Sequence, residues 1–245
     1  MLVFHQISVL QQHLKQLRNQ GMTVGFVPTM GALHQGHISL INQAKAQSDI
    51  VVCSIFVNPT QFNNAHDLAV YPRTLEADSQ MLDAAGCDIL FAPSAEEMYP
   101  KLPTMKFDFG ALETVMEGAF RPGHFNGVGI VVSKLFHIVQ PNKAFFGQKD
   151  LQQCAVISCM VNELSFNLEL VICPTQREED GLAMSSRNKN LSPEQRAIAP
   201  SLYQVLNNAK ASLLQYKEVS EVKSELAEFL EKIDGIELEY FEISD

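Results

Sequence analysis

Short apolar runs alternate with stretches of helical periodicity from residue 23 to residue 173, and this alternation limits the folds open to the chain. The runs predict strands at residues 23–27, 50–57, 88–92, 143–146 and 168–173. Between them, apolar residues at spacings of three and four predict helices at residues 38–46, 75–85, 128–139 and 151–162. This order favours an α/β, Rossmann-like fold, in which helices cover both faces of a parallel sheet and ligands bind at the carboxyl ends of the strands.

The chain changes character after Pro174, where charged amphipathic segments replace the apolar runs. Ser192 and Gln195 form a potential capping box around Pro193, which predicts the start of a helix. A second helix is predicted at residues 219–233, followed by an alternating strand at residues 236–243. We therefore expect a sheet-based domain at residues 1–175 and a smaller α+β domain at residues 176–245.

The composition argues against several classes of partner. A formal charge of -10 and an isoelectric point near 5.2 disfavour binding to nucleic acid or to anionic membranes. The longest apolar run, at residues 50–57, is far shorter than the roughly 20 residues of a membrane span. Five cysteines without a C-x-x-C pair favour reduced thiols. Because the first residues also lack an export signal, we expect a cytoplasmic protein.

His34 and His37 lie three residues apart across Gly36, where a strand is predicted to give way to a helix. A helix N-terminus offers free N–H groups and a partial positive charge, a glycine lets the backbone approach an anion, and imidazoles donate to phosphate oxygens. The segment therefore suggests a nucleoside triphosphate site that stabilises charge on an α-phosphate during nucleotidyl transfer. The alternative is structural: one histidine caps the helix and the other lies at the surface.

Two further segments could contact a nucleotide. Lys149 and Asp150 follow a predicted strand at the same edge of the sheet, where Lys149 could bind phosphate. Asp150 could bind a ribose hydroxyl or cap the next helix. The loop at residues 181–188 carries two serines and an arginine, and it is either a solvated turn or a segment that closes over a triphosphate.

Two glutamines are candidates for binding a second substrate. Gln61 follows an Asn58-Pro59 turn at the end of a predicted strand, and Gln153 lies on a separate predicted helix. A neutral amide can hold a carboxylate or a hydroxyl without a strong ion pair. A carboxylate bound in this way stays nucleophilic.

Six segments occur in a fixed order along the chain: PTMGALHQGH, SIFVNPTQF, YPRT, RPGHFNGV, FFGQKDLQQ and REEDGLAMSSRN. Together they resemble the pantothenate synthetase (pantoate-beta-alanine ligase) family, in the nucleotidyltransferase-like superfamily that carries the HxGH motif. The resemblance implies an enzyme that joins pantoate and beta-alanine with ATP through a pantoyl-adenylate, and that releases pyrophosphate and AMP. It also implies Mg²⁺ with the ATP, and a homodimer.

Carried over by position, the resemblance implies a role for each matched residue. Catalytic roles fall on His37, the family's proton donor, and on His34 and Lys149. The implied ATP-binding residues are Met30, Gly31, His34, Gly36, His37, Gly147, Lys149, Asp150, Gln176, Met184, Ser185, Ser186 and Arg187. The implied pantoate-binding residues are Met30, Gln61 and Gln153, with Gln61 also on beta-alanine and Asp78 in the magnesium environment.

The sequence departs from the family pattern at several points. Gln35 and Gln148 stand where the family often has glutamate, which reduces the negative charge beside a triphosphate. The expected lid domain at residues 176–245 is short or truncated relative to the family. The residues also leave open another HxGH nucleotidyltransferase, which transfers AMP to a phosphate-bearing acceptor, and a nucleotide-binding sensor without turnover.

Overall fold

A computed structural model of the protein describes residues 1–244 and, among these, every side chain except that at position 65. The strands of this part of the chain are β1 (Leu2–Phe4), β2 (Val24–Thr29), β3 (Ile50–Ile55), β4 (Ile89–Phe91), β5 (Lys143–Gly147) and β6 (Glu169–Cys173). They form one sheet in the order β1-β4-β3-β2-β5-β6, and every neighbouring pair is parallel. The predicted α/β fold with a parallel sheet is confirmed.

The helices connect these strands and then continue beyond the sheet. They are α1 (Ile7–Asn19), α2 (Gln35–Gln47), α3 (Ala65–Val70), α4 (Leu75–Ala84), α5 (Ala95–Met98), α6 (Met116–Phe120), α7 (His124–Val139), α8 (Leu151–Glu163), α9 (Pro193–Ile198), α10 (Ser201–Leu214) and α11 (Val219–Glu231). Both β1 and α1 precede the first predicted element. Within residues 1–244, none of the helices has the length and apolar character needed to cross a membrane.

Alternate residues of the central strands face opposite layers of helices. On β2, Phe26 packs in an apolar cluster with residues of α1, α7 and α8, whereas Val27 packs in a second cluster with residues of α2 and α4. On β5, Phe146 and Phe145 divide in the same way. Successive side chains of a strand point to opposite faces, so these strands read as continuous apolar runs buried on both sides.

The strands β2 and β5 are neighbours, but the chain leaves them in opposite directions across the sheet. After β2 it crosses to β3 on one side, and after β5 it crosses to β6 on the other. At such a switch point, the segments that follow the two strands diverge and leave a crevice at their carboxyl ends. The topology therefore brings the two-histidine segment close to residues 147–150.

The chain divides into two compact units between Thr175 and Gln176. In the second unit, α10 and α11 pack through an apolar cluster formed by Val205, Ala209, Val222, Leu226 and Leu230. The predicted capping box is present at the start of α9, because Gln195 N donates to Ser192 Oγ and Ser192 N donates to Gln195 Oε1.

The predicted strand at residues 236–243 is wrong, since the chain there forms no strand. Its apolar residues, including Ile236 and Ile243, pack instead against the α10–α11 cluster. Alternation indicates one buried face, but a strand also needs a neighbouring strand to bond with. In the described part of the second unit, β pairing is limited to an isolated antiparallel bridge between Arg177 and Ala183.

Helix α7 packs closely against the 3₁₀ turn Pro59–Gln61. A methyl group added at Gly127 would lie 2.6 Å from the Cα atom of Gln61 and would also meet the carbonyl oxygen of Thr60. These are backbone atoms, which cannot yield without moving the whole turn. Glycine at position 127 is therefore required by the distance between α7 and this turn.

We predict that Gly127→Ala destabilises the protein by about 1–3 kcal/mol, the usual effect of overpacking a core. Alanine favours a helix interior by roughly 1 kcal/mol, but a clash with fixed backbone atoms outweighs that gain. Urea denaturation measures the free energy of unfolding. The control is Gly147→Ala, where the added methyl meets no atom within 4 Å. Equal stability of the two variants would contradict this account.

Candidate active site

The turn between β2 and α2 carries the two predicted histidines. β2 ends at Thr29, and α2 begins at Gln35 with His34 as its N-cap. Gly31 and Ala32 have φ angles of 84° and 51°, so the chain turns through two left-handed residues before the helix starts. The two histidines lie at a strand-to-helix junction, as their spacing predicts.

Each of the two imidazoles accepts a hydrogen bond from the backbone at the start of α2. Gly36 N donates to His34 Nδ1 at 3.1 Å, and His34 N donates to His37 Nδ1 at 3.3 Å. A ring nitrogen that accepts a bond carries no proton, so each neutral imidazole holds its proton on Nε2. His34 therefore caps the helix, as the structural alternative predicted for one of the two histidines. The same hydrogen bonds also make both rings Nε2–H donors.

The pKa of His37 is lowered from its ordinary 6.5 to about 3. Burial is the largest cause, because it disfavours the charged ring, and repulsion by His34 adds to it. The Asp150 carboxylate opposes the shift and the Lys149 ammonium reinforces it. His37 is therefore neutral at pH 7, and residues 149 and 150 lie within its electrostatic reach, as the crevice between β2 and β5 implies.

Asp78 holds the turn that precedes His34. Its carboxylate is only 2% exposed and accepts from Leu33 N at 2.8 Å on Oδ1, and from Ala32 N at 2.9 Å and Thr74 Oγ1 at 3.1 Å on Oδ2. A buried carboxylate is costly unless donors surround it, and here the backbone of the turn supplies two of the three. Asp78 thus links α4 to the histidine turn.

Asp78 is also the residue predicted to lie near magnesium. In residues 1–244, no group of three or more His, Cys, Asp and Glu side chains could hold a metal ion. Both oxygens of Asp78 already accept hydrogen bonds from the protein, which favours a structural role for this carboxylate. Its place in the magnesium environment is a prediction that these contacts do not test. In proteins, Mg²⁺ is often bound through the phosphates of a nucleotide, with few protein ligands.

The 3₁₀ turn Gln148–Asp150 follows β5 on the other side of the crevice. Lys149 Nζ lies 3.0 Å from Asp150 Oδ1, in a pair whose side chains are 40% and 58% exposed. Asp150 is the N-cap of α8, but its side chain makes no capping bond. Exposed ion pairs are weak, so a phosphate can replace Asp150 as the partner of Lys149 at little cost.

Two of the three predicted pantoate residues meet in the structure. Gln61 Nε2 lies 3.2 Å from the Met30 sulfur and is placed to donate to it. Gln61 lies in the turn after β3, and Met30 follows β2, the neighbouring strand. Gln153 lies in the first turn of α8, three residues after Asp150.

Three buried polar residues surround Gln61, and the sequence assigns none of them a specific role beyond the lining or shaping of the site that the family motif implies for His124. Asn58 Nδ2 donates to Gln61 Oε1 at 3.0 Å, Tyr99 Oη donates to Asn58 Oδ1 at 2.9 Å, and His124 Nδ1 lies 2.8 Å from the carbonyl oxygen of Gln61. Asn58 has the signal of a turn residue before proline, and His124 lies in a family motif. Nothing in the sequence marks Tyr99.

The remaining predicted ATP residues lie together in the second unit. Met184 N donates to the carbonyl oxygen of Gln176 at 3.0 Å, which closes a loop between them. Ser185 is the N-cap of the 3₁₀ helix Ser186–Asn190, and its Oγ accepts from Arg187 N at 3.3 Å. The structure therefore brings residues 176 and 184–187 into a single local loop.

Comparison with known proteins shows which family the chain belongs to. Residues 2–245 match the model of the family described as pantoate-beta-alanine ligase. The chain belongs to the pantoate-beta-alanine ligase family. The family resemblance and the prediction of an enzyme are both confirmed.

Relatives and solved structures of pantoate-beta-alanine ligases match nearly the whole chain. The pantothenate synthetase of Bacteroides thetaiotaomicron is 53% identical over 245 residues, which are 100% of this chain and 86% of that protein. A pantothenate synthetase crystal structure from Thermus thermophilus is 45% identical, with a TM-score of 0.92, and the match covers 98% of this chain and 86% of that one. The crystal structure of the Francisella tularensis ligase complexed with beta-gamma ATP and beta-alanine is 39% identical, with a TM-score of 0.83 and coverage of 94% and 86%.

The hydrogen bonds predict opposite tautomers for two buried histidines at pH 7. His37 accepts on Nδ1 and should be protonated on Nε2, whereas His124 faces a carbonyl oxygen and should be protonated on Nδ1. Long-range ¹H–¹⁵N spectra of the protein distinguish the two forms, and each ring serves as the control for the other.

The folded pKa of about 3 for His37 lies below the unfolded 6.5. The unfolded state therefore binds the extra proton, and stability from this group falls as the pH drops below 6.5. A His37 ring that titrates near pH 6.5 would contradict this assignment.

We predict that Asp78→Asn lowers the free energy of unfolding by about 1–3 kcal/mol. The NH₂ group of the asparagine would face a backbone N–H, which would then have no acceptor. The turn should loosen and reduce kcat, but the Mg²⁺ concentration for half-maximal activity should not change. Denaturant unfolding and a Mg²⁺ titration of activity measure the two effects. Glu76→Gln, an exposed change in the first turn of the same helix, is the matched control. A raised Mg²⁺ requirement in Asp78→Asn alone would show instead that Asp78 contacts the metal.

Proposed function

We propose that this protein condenses pantoate with beta-alanine at the expense of ATP, by way of a pantoyl-adenylate. The observation that carries the proposal is the pair of Nε2–H donors fixed at the N-terminus of α2, opposite the Lys149 ammonium. Such donors suit the charge that builds on phosphate oxygens when a nucleotidyl group is transferred. Membership of the family supports these substrates, and the complex of the Francisella relative with beta-gamma ATP and beta-alanine supports two of them.

In the first step, a carboxylate oxygen of pantoate attacks the α-phosphorus of ATP. The new bond joins that oxygen to phosphorus, and the bond from phosphorus to the bridging oxygen of pyrophosphate breaks. The negative charge that this moves onto the phosphates is stabilised by His34, His37, Lys149 and the dipole of α2. A carboxylate nucleophile has no proton to lose, so the step needs donors and no general base.

In the second step, the amine nitrogen of beta-alanine attacks the acyl carbon of the adenylate. A carbon–nitrogen bond forms, the bond from the acyl carbon to the phosphate oxygen breaks, and AMP leaves while the nitrogen loses a proton to solvent. We assign Met30, Gln61 and Gln153 to holding the pantoyl group, and Gln61 also to beta-alanine. Gln61 presents an amide N–H toward Met30, which suits an oxygen acceptor of the substrate.

The two units would divide the work. We assign residues 1–175 to binding ATP and pantoate, with Gly31 and Gly36 in the histidine turn and Gly147, Lys149 and Asp150 beside it. Residues 176–245 would act as a lid, whose loop contributes Gln176 and residues 184–187 to ATP. Mg²⁺ carried by ATP, a homodimer and a cytoplasmic location stay predictions.

The reaction can be tested by omitting one component at a time from a mixture of ATP, Mg²⁺, pantoate and beta-alanine. With beta-alanine omitted, pyrophosphate should appear only to the level of the enzyme, while pantoate should still support exchange of labelled pyrophosphate into ATP. AMP should accumulate only when all components are present. In His37→Ala, the pantoate-dependent exchange should fall by about two to four powers of ten, since a donor to the transition state is lost.

His66→Ala, at an exposed histidine of α3, is the matched control and should retain normal exchange. A product that keeps AMP, with a phosphate-bearing acceptor, would assign the protein to the other HxGH transferases. ATP binding without pyrophosphate release, with all components present, would point to a sensor. A His37→Ala variant that loses only affinity for its substrates would contradict the transition-state role of the imidazole.

A further inference from the structure

A chain of buried hydrogen bonds lies behind Gln61. Tyr99 is 9% exposed, Asn58 1% and Gln61 7%, so water competes little for their polar groups. Tyr99 Oη donates to Asn58 Oδ1, Asn58 Nδ2 donates to Gln61 Oε1, and Gln61 Nε2 points to the Met30 sulfur. The Gln61 side chain is therefore connected by hydrogen bonds to groups well inside the core.

Two backbone groups fix the orientation of the Asn58 amide. Thr60 N, which can only donate, lies 3.3 Å from Asn58 Oδ1, and the carbonyl oxygen of Gly127, which can only accept, lies 3.2 Å from Asn58 Nδ2. If the amide turned over, its NH₂ would face an N–H and its oxygen would face a carbonyl. Backbone groups cannot exchange roles, so the oxygen and the nitrogen of Asn58 have one allowed placement.

The orientation of Asn58 then determines that of Gln61. The remaining N–H of Asn58 needs an acceptor, so the Gln61 oxygen turns inward and its nitrogen turns toward Met30. A thioether sulfur is a weak acceptor, and a substrate oxygen is a stronger one. The backbone of Gln61 is held as well, because His124 Nδ1 donates to its carbonyl oxygen at 2.8 Å.

We infer that Asn58 is a positioning residue, which makes Gln61 present only N–H donors to the substrate and so favours an oxygen that accepts a hydrogen bond, such as a carboxylate oxygen. The inference rests on the proposed function for the identity of the acid, pantoate. A donor-only surface binds a carboxylate without adding a positive charge that would reduce its nucleophilicity. A buried amide with its oxygen outward would instead repel the same group.

Asn58→Asp tests this directly, because the ionised carboxyl can no longer donate to Gln61 Oε1. Gln61 should turn over, and the KM for pantoate at pH 8 should rise by about 10- to 100-fold, the usual effect of losing a hydrogen bond to a charged group in a buried site. Burial raises the pKa of the new carboxyl, and its protonation restores one O–H donor, for which Gln61 Oε1 and the Gly127 carbonyl oxygen compete, so recovery should be partial. The KM for pantoate should therefore recover at least threefold between pH 8 and pH 5.5, while the KM for ATP stays within about twofold throughout.

The wild-type protein controls for the other titratable groups that face this network. Burial lowers the pKa of His124 and raises the pKa of Tyr99, so both keep their neutral forms at pH 7. The wild-type KM for pantoate should vary by less than about threefold over the same range. Ser133→Ala, which removes another buried hydrogen bond of α7 outside this network, controls for a general loss of stability.

Gln61→Glu tests the same orientation without altering Asn58, and thermal denaturation establishes that each variant is folded. With one oxygen held by Asn58, the other would face the substrate, so pantoate binding should again be weak at pH 8 and improve at pH 5.5. A KM for pantoate that is unchanged in both variants, or raised without recovery at low pH, would overturn the inference. A wild-type protein that does not turn over pantoate would overturn the proposed function instead, and the two failures are thus distinct.

Discussion

Backbone N–H groups without helical partners determine the shape of the histidine turn. Between β2 and α2, the chain leaves the sheet before it can form helical bonds, and buried N–H groups left without acceptors would be costly. Asp78 accepts from two of them, and the rings of His34 and His37 accept from two others. A ring that accepts on Nδ1 must carry its proton on Nε2. The same bonds that complete the fold of the turn therefore create the donors proposed to act on phosphate.

Backbone groups also determine the orientation of Gln61, but they act through one intermediate residue, Asn58. The Thr60 N–H can only donate and the Gly127 carbonyl can only accept, so these two groups determine the orientation of the Asn58 amide. The Asn58 amide in turn determines the orientation of the Gln61 amide. This arrangement requires α7 to approach the Pro59–Gln61 turn closely, and glycine at position 127 permits that approach. Packing, amide orientation and the chemistry offered to a substrate are thus consequences of one backbone contact.

The sequence predicted the parts of this molecule that depend on local pattern. The central strands, the helices between them and the junction at His34 follow from apolar periodicity and from the chemistry of helix termini. What it could not supply are contacts between distant positions. Asp78 is 45 residues from Leu33, and Tyr99 is 41 residues from Asn58. The strand predicted at residues 236–243 failed for the related reason that alternation reports burial, whereas a strand also depends on a partner elsewhere in the chain.

Neutral histidines suit this site better than charged ones would. The ring centroids of His34 and His37 lie 4.1 Å apart, and two unit charges at that distance repel by about 4 kcal/mol at an effective dielectric of 20. Before substrate binds, such a pair would strain the turn and attract solvent anions. As neutral donors, the rings add no net charge to the site before substrate binds. The attraction of their N–H dipoles and of the helix dipole for the phosphate nevertheless increases as the phosphate gains negative charge. Their stabilisation is then greatest in the transition state, where differential binding accelerates the reaction.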